Sequence, residues 1–173
     1  MAALPAPERR ALIETERLVL RQPTEADTEA PPAWLSDPEV MDWLGGVEPA
    51  ATVVRHWLDQ WERFPAGKFL VQRRDEAAVI GRVGVNYYDV RTWQRSVAGD
   101  PELTWALARE HWGHGYATEA ALAVREWLQA PRLISLITAE NTRSQTVAQR
   151  LGAQPEQTVE LPDYGPHVVW VHP

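Results

Sequence analysis

The residues best suited to chemistry form a short glycine-containing loop between an apolar run and a helical pattern, Trp112-Gly113-His114-Gly115-Tyr116-Ala117. Glycines let backbone N–H groups approach a ligand, and a helix N-terminus adds about half a positive charge. This combination predicts an anion site and suits a diphosphate. Gly-X-Gly by itself is a weak signal, because glycine pairs are common in turns.

Two kinds of nucleotide-binding motif differ from this loop. A P-loop requires Gly-Lys-Ser or Gly-Lys-Thr, and the chain contains neither. A dinucleotide fingerprint requires a third small residue three positions after the second glycine, where this chain has Thr118. The loop therefore fits neither class of nucleotide site well.

Three blocks of sequence are similar to one family. The run from Leu107 to Ala120 resembles the coenzyme A loop of the GNAT N-acetyltransferase superfamily. Its Trp-Gly-X-Gly-Tyr-Ala-Thr-Glu-Ala portion is particularly similar to the RimJ/RimL branch, the ribosomal-protein N-terminal acetyltransferases and their relatives. Residues 141–152 resemble that branch's Asn-X-X-Ser helix ending in Leu-Gly, and residues 16–21 resemble its first strand. The blocks occur in order and span about residues 14–155.

The resemblance implies a fold as well as an activity. It implies one GNAT-like domain of mixed α/β class, with helices on both sides of a twisted, mostly antiparallel sheet of about six or seven strands. A parallel strand pair would splay around coenzyme A. The implied activity is transfer of an acetyl group from acetyl-CoA to a primary amine, by direct attack in a ternary complex.

The same resemblance implies which residues bind the cosubstrate. Backbone groups at Ala106 and Leu107, where a strand ends, would meet the pantetheine arm and the thioester oxygen. Asn141 would hydrogen-bond the pantetheine. The pyrophosphate would be wrapped by one continuous loop, Trp112, Gly113, His114, Gly115, Tyr116, Ala117 and Thr118.

Amine attack on a thioester needs a neutral amine, donors for the oxyanion and an acid for the thiolate. An α-amino group, with a pKa of about 7.7–8.0, needs less help than a lysine at about 10.4. Glu102 is the candidate base, because it starts the strand that leads into the loop; a solvated strand-end carboxylate is an equal alternative. Ser144 is the candidate acid by resemblance, and a serine that helps to cap its helix is the alternative. Many superfamily members have a Tyr where this chain has Ala148.

Three functional hypotheses follow. The first is an acetyltransferase whose acceptor is a protein N-terminal α-amine or, close behind, a small-molecule amine. The second is a noncatalytic acyl-CoA-binding or regulatory module on the same fold. The third, a nucleotide-binding protein, is disfavoured by the missing motif residues.

Composition limits the partners. The net charge of -7 disfavours nucleic acid and is compatible with a basic substrate. The absence of cysteine excludes thiolate metal sites, and His111 and His114 have no third ligand at recognisable spacing, so no metal is expected. No apolar stretch predicts a signal peptide or a membrane span. We expect a cytoplasmic protein, monomer or homodimer.

The hydrophobic patterns place these residues on elements. Residues 1–13 resemble a flexible tail, and 14–173 form the domain. Residues 52–64 and 117–128 show helical periodicity, and Asn141 caps a further helix. Seven runs are typical of strands: 17–21, 69–71, 79–88, 102–107, 133–137, 157–161 and 167–171. Four tryptophans at 34–61 predict either core packing or an aromatic cleft wall.

Overall fold

One sheet of eight strands forms the centre of the computed structural model, which describes residues 11–88, 97 and 99–173. Its strands are β1 Leu12–Glu14, β2 Leu18–Arg21, β3 Lys68–Arg73, β4 Val79–Asn86, β5 Glu102–Leu107, β6 Ile134–Ile137, β7 Gln154–Leu161 and β8 Gly165–Val171. Their order is β1-β2-β3-β4-β5-β6-β8-β7. All neighbours are antiparallel except β5 and β6.

The mixed, mostly antiparallel sheet is confirmed, and it has eight strands where about six or seven are expected. The eighth strand is β1, two of whose residues fell in the predicted tail. It lacks a clear periodicity of its own and is defined by pairing, with Ile13 opposite Leu20. Residues 1–10 of that tail, and residues 89–96 and 98, lie outside the described residues.

Five α-helices accompany the sheet within the described residues: α1 Glu25–Glu29, α2 Pro38–Met41, α3 Ala50–Arg63, α4 Tyr116–Leu128 and α5 Thr142–Arg150. The starts of α1 and α5 are capped by side chains. Thr24 and Asp27 form a capping box on α1, and the Asn141 side chain accepts from the Ser144 N–H at the start of α5. Gly152, with φ +79, takes the left-handed conformation just after α5.

The alternation of side chains along each strand divides the molecule into two layers. Phe69 and Val83 point to the face covered by α4 and the end of α5, where the largest core cluster lies. Leu70, the next residue, packs on the other face with Trp34 and Trp57, below α3. Lys68 shares this second face, because it lies two residues before Leu70.

The sheet opens between β5 and β6. The two strands are paired in parallel only at Glu102 and Ile134. Beyond this point a side chain connects the two strands. The Ser135 hydroxyl of β6 donates to the Leu103 carbonyl of β5 at 2.6 Å and lies 2.8 Å from Nε2 of His172. The predicted splayed parallel pair is thus present. In the described part of the chain, no helix is long and apolar enough to cross a membrane.

Candidate active site

A cleft of about 1050 Å³ begins at the opening between β5 and β6. The start of α4 and the first turn of α5 border one end, and α3 borders the other. All predicted site residues except His114 line it. The cleft therefore brings together the glycine loop, Asn141, Ser144 and Glu102, which lie far apart in the sequence.

The glycine loop at the start of α4 forms a cradle of unpaired N–H groups. Gly113 and Gly115 both have φ of +81, a left-handed conformation that favours glycine. None of the main-chain N–H groups from Gly113 to Thr118 donates a hydrogen bond to another described residue. The buried Thr118 hydroxyl also has no partner in the described structure. These orphaned donors at a helix N-terminus fit a diphosphate.

Side chains from three elements hold the loop in place. The Trp112 indole N–H donates to the Leu107 carbonyl at 2.8 Å, and the Arg143 guanidinium lies 4.1 Å from the centre of its ring. Arg17 donates to the His114 carbonyl at 2.9 Å. Glu119 in turn accepts from the Arg17 Nε at 2.7 Å. The His114 side chain stacks on Tyr116. Its main-chain carbonyl is the group that bonds to Arg17.

The exposed edge of β5 offers main-chain donors to the opening. The Ala108 N–H donates to the Ile80 carbonyl of β4. Because every second residue of an antiparallel strand bonds to the same neighbour, the main-chain N–H and C=O of Ala106 also face β4, where Arg82 is the opposite residue. The N–H groups of Trp105 and Leu107 consequently face β6, in the opening. Of the two predicted strand-end residues, Leu107 presents a main-chain donor to the cleft, whereas Ala106 lines it with its side chain.

The first turn of α5 contributes Asn141 and Ser144. The Asn141 Oδ1 caps the helix by accepting from the Ser144 N–H at 3.1 Å, which leaves the amide Nδ2 as its free donor. The Ser144 hydroxyl makes no hydrogen bond to a described residue. Ala148, where the resembling family often has Tyr, is fully buried behind this turn.

Glu102 is held on one oxygen and open on the other. Only 6% of the residue is exposed, and its Oε2 accepts from the Asn86 amide at 2.8 Å and from the Tyr88 hydroxyl. Burial and the neighbouring Glu102 charge raise the pKa of Tyr88, so the phenol remains a donor. The Oε1 makes no hydrogen bond to a described residue. Glu102 can therefore accept a further proton donor from the cleft.

Two buried basic side chains lie on the same sheet face, and neither is among the site residues predicted from the sequence. Lys68 donates to the Asn86 Oδ1, and Arg82 donates through Nη1 to the Thr104 hydroxyl. Among the described residues, no carboxylate lies within 4 Å of either cation. A sequence signal did exist, because Arg82 stands in the middle of an otherwise apolar strand, where a charge needs a reason.

Burial controls the charge of both groups. It lowers the pKa of Lys68 well below its usual range, and repulsion by Arg82 adds to this effect, while attraction to Glu102 opposes it. Burial also lowers the pKa of Arg82, to about 10. Arg82 is therefore still charged at neutral pH.

The outer rim of the cleft is aromatic. Tyr164, on the β7–β8 hairpin, approaches Gly45 so closely that a Cβ there would lie 2.9 Å from its ring. Trp43 is half exposed beside it, and both residues line the cleft. Both alternatives predicted for the tryptophans therefore occur. Trp34 is a core residue stacked on Trp57, and Trp57 also lines the cleft.

No group of three or more His, Asp or Glu side chains that could hold a metal occurs in the described ranges. The imidazoles of His111 and His114 instead lie beside the Tyr116 ring, with centroids 6.3 and 5.6 Å away. The donors of this cleft suit organic anions.

Comparisons with known proteins agree with this geometry. A family model described as "Acetyltransferase (GNAT) domain" matches residues 17–154. A curated relative, the uncharacterized N-acetyltransferase YnaD of Bacillus subtilis (strain 168), is 30% identical over 154 residues, which are 83% of this chain and 83% of that protein.

Solved structures share the fold across nearly the whole chain. The acetyltransferase from Agrobacterium tumefaciens str. C58 has a TM-score of 0.78 and 29% identity, covering 94% of each chain. The ribosomal L7/L12 α-N-protein acetyltransferase RimL, solved with coenzyme A, has a TM-score of 0.73 and 16% identity, covering 94% of this chain and 97% of that one. At that identity the likeness to RimL concerns the fold.

Proposed function

Because the chain belongs to the family of GNAT-domain acetyltransferases, we propose that it transfers the acetyl group of acetyl-CoA to a primary amine, with Glu102 as the base and Ser144 as the acid. One observation carries the catalytic part of this proposal. A buried carboxylate with one free oxygen lies in the same cleft as a strand edge with unpaired N–H groups and an anion cradle.

The cradle and the strand edge would hold the donor. The N–H groups of Gly113 to Thr118, with the Thr118 hydroxyl, supply donors for the pyrophosphate. The Asn141 Nδ2 supplies one for the pantetheine amides. The N–H groups of Trp105 and Leu107 would donate to the thioester oxygen as it gains negative charge, which is where such donors lower a barrier.

Glu102 would act on the acceptor. Its free Oε1 takes a proton from the amine, directly or through water, and the neutral nitrogen bonds to the thioester carbon. The C–S bond then breaks, and the Ser144 hydroxyl protonates the departing thiolate. The attached nitrogen loses its second proton through water to Ser144, which restores the hydroxyl, and Glu102 releases the first proton to solvent. The products are an N-acetyl amide and coenzyme A.

The motif blocks at 107–120 and 141–152 support a place near the RimJ/RimL branch, but the cleft itself bears on the acceptor. An α-amine is favoured over a lysine side chain, because a single partly engaged carboxylate suffices for a group with a pKa of about 7.7–8.0. A protein N-terminus and a free small molecule both supply such an amine.

The Glu102→Gln variant tests the mechanism. The amide retains the size of the side chain and can still bond to Asn86, but it cannot accept a proton. We expect kcat to fall by about 10²- to 10⁴-fold, the usual contribution of a general base. Calorimetric titration should show unchanged affinity for coenzyme A, and Glu62→Gln, on the exposed side of α3, should retain full turnover.

Three results would contradict the proposal in different ways. Full turnover by Glu102→Gln across pH would remove this residue from the mechanism. Coenzyme A binding without thiol release by the wild-type protein, on any amine of a broad panel, would favour the noncatalytic acyl-CoA module. Absence of coenzyme A binding at millimolar ligand would reject the donor as well.

A further inference from the structure

Arg82 is a buried cation that is not in contact with any carboxylate of the described residues, although Glu102 attracts it from a greater distance. The residue is only 6% exposed, and one of its five N–H donors bonds to the neutral Thr104 hydroxyl. No carboxylate within 4 Å compensates it among the described residues. A buried charge without a partner is costly, yet this guanidinium lines the cleft, where a ligand can reach it.

Lys68 places a second basic side chain nearby. It is 2% exposed, lines the same cleft, and lies close enough to Arg82 for their repulsion to be felt. Unlike Arg82, it is connected to a carboxylate, because Asn86 accepts from Lys68 and donates to Glu102. The two groups therefore differ: Lys68 is connected to Glu102 through the Asn86 amide, whereas Arg82 has no hydrogen-bonded bridge to that carboxylate in the described structure.

The register brings Arg82 to the acceptor side of Glu102. Its guanidinium bonds to Thr104, which follows Glu102 by two residues on β5, about 7 Å along the same face. An ammonium and a carboxylate separated by one or two carbons, each hydrogen-bonded at about 2.9 Å, bridge such a distance. The spacing thus suits a molecule that carries both groups.

From these contacts we propose that Arg82, assisted by Lys68, forms an anion subsite, and that the acceptor is a small amino acid whose carboxylate binds there while its amine faces Glu102. The planar guanidinium fork suits a carboxylate, which can accept two parallel hydrogen bonds. This inference rests on the proposed function, since that function supplies the amine. It separates a free amino acid from a protein N-terminus, whose α-carboxyl is an amide.

Matched ligands test the subsite by equilibrium binding. Each L-amino acid and its C-amide are titrated into protein saturated with coenzyme A, and binding is followed by tryptophan fluorescence. The members of a pair share the amine and the side chain, so their affinity ratio isolates the carboxylate. For at least one pair, we expect the wild-type protein to prefer the acid by about 10-fold or more, as for a desolvated charge pair.

Variants then assign the preference to Arg82. Arg82→Met should bind the acid and the amide equally, while coenzyme A affinity is unchanged. Arg73→Met, which removes a partly exposed arginine at the end of β3, should retain the wild-type ratio. Arg82→Lys keeps a charge but loses the fork, and it should reduce the ratio in a protein whose circular dichroism is unchanged. This variant decides the matter if Arg82→Met does not fold.

Equal binding of acid and amide by the wild-type protein in every pair would overturn the inference, as would a preference retained in Arg82→Met. Turnover on the same panel is scored separately. Acid-selective binding without acetylation would leave the subsite standing and reject the proposed function. Acetylation of acids and amides with equal kcat/KM would support the proposed function and reject the carboxylate subsite, and it would favour a peptide N-terminus as the acceptor.

Discussion

Asn86 forms hydrogen bonds with both a buried basic side chain and a buried carboxylate on the cleft floor. Its Oδ1 accepts from Lys68 and its Nδ2 donates to Glu102 at 2.8 Å, so one neutral side chain relays between a cation and an anion that do not touch. Its β4 position is opposite Glu102 in the register. Because amide dipoles inside a protein interact strongly with buried charge, this relay offsets part of the desolvation cost of both groups.

His172 shows a different solution at the residue scale. The ring is buried, its Nε2 lies 2.8 Å from the Ser135 hydroxyl, and its Nδ1 has no partner within the described structure. Since Ser135 already donates to Leu103 at 2.6 Å, the imidazole must be the donor in the second bond. Burial, with repulsion from Arg125, lowers the pKa of His172 to about 4.

A pH-dependent stability follows from this depressed pKa. In the unfolded chain the imidazole takes up its proton near pH 6.5, whereas in the folded protein it stays neutral down to about pH 4. The folded state is therefore fully favoured above pH 6.5 and loses stability as the pH falls toward 4. The loss at pH 5 is about 2 kcal/mol.

Urea unfolding at pH 7 and pH 5 measures this difference, and His172→Gln supplies the comparison. The glutamine cannot titrate, so the pH-dependent loss should shrink by about 2 kcal/mol. His56→Gln, on the half of α3 that faces the cleft, is the matched control and should behave as the wild type. An unchanged slope in His172→Gln would mean that the imidazole is protonated equally in both states.

At the scale of elements, the glycine loop depends on the first two strands. Glu119, in the first turn of α4, accepts from the Thr15 hydroxyl at 2.6 Å, the Arg17 N–H at 2.9 Å and the Arg17 Nε at 2.7 Å. Arg17 then donates to the His114 carbonyl. The turn between β1 and β2 is thereby tied to the loop that would hold the pyrophosphate.

Loss of this connection should weaken donor binding without changing the chemistry. We expect Glu119→Ala to raise the dissociation constant of coenzyme A by about 10-fold, which corresponds to about 1.4 kcal/mol, while kcat at saturation stays near the wild-type value. Glu119→Gln keeps an acceptor oxygen and should lose less. Titration calorimetry and saturation kinetics separate the two effects, and equal losses in affinity and kcat would place Glu119 in the chemistry instead.

The elements that carry local signals could be predicted from the sequence, and the pairings between distant elements could not. Gly115 and the helix after it, the Asn141 cap and the splay at Glu102 each follow from neighbours along the chain or from family resemblance. The approach of Lys68 to Asn86 follows from the register of β3 on β4, which no local pattern specifies. Pairing with a distant strand also defines β1, so the sequence predicts a tail where Leu12 and Ile13 lie.

The tryptophans of α3 also show what the sequence alone does not predict. Residue type predicted that Trp57 and Trp61 would be buried or would wall a cleft, and helical spacing placed them on one side of α3. Only packing distinguishes them. Trp61 packs edge-on to Phe69 and bonds to the Lys68 carbonyl at 2.8 Å, whereas Trp57 faces the cleft.

At the scale of the whole molecule, overall and local charge have opposite signs. The chain carries a net charge of -7, which alone was compatible with a basic substrate. The cleft floor instead contains two buried cations beside one carboxylate. Long-range attraction is screened within about 8–10 Å at ordinary salt, so the buried groups dominate recognition at contact. Net charge is therefore a poor guide to this acceptor.

The buried cations also predict a conflict between stability and function. An unpaired guanidinium loses its hydration on folding and gains only one hydrogen bond to Thr104 in the described structure. Arg82→Met replaces it with an apolar side chain of similar length. By analogy with buried charges replaced by hydrophobic residues, we expect the ligand-free variant to be more stable by about 1–4 kcal/mol.

Arg21 provides the opposite case on the next strand but one. Its guanidinium bonds to both oxygens of Asp27, at 2.9 and 2.7 Å, so Arg21→Met leaves a carboxylate unpaired and should lower the free energy of unfolding. Urea denaturation at pH 7 compares the three proteins. Stabilisation by Arg82→Met with loss of carboxylate selectivity would identify Arg82 as a residue kept charged for its ligand. Destabilisation comparable to that of Arg21→Met would show that the folded protein itself neutralises Arg82.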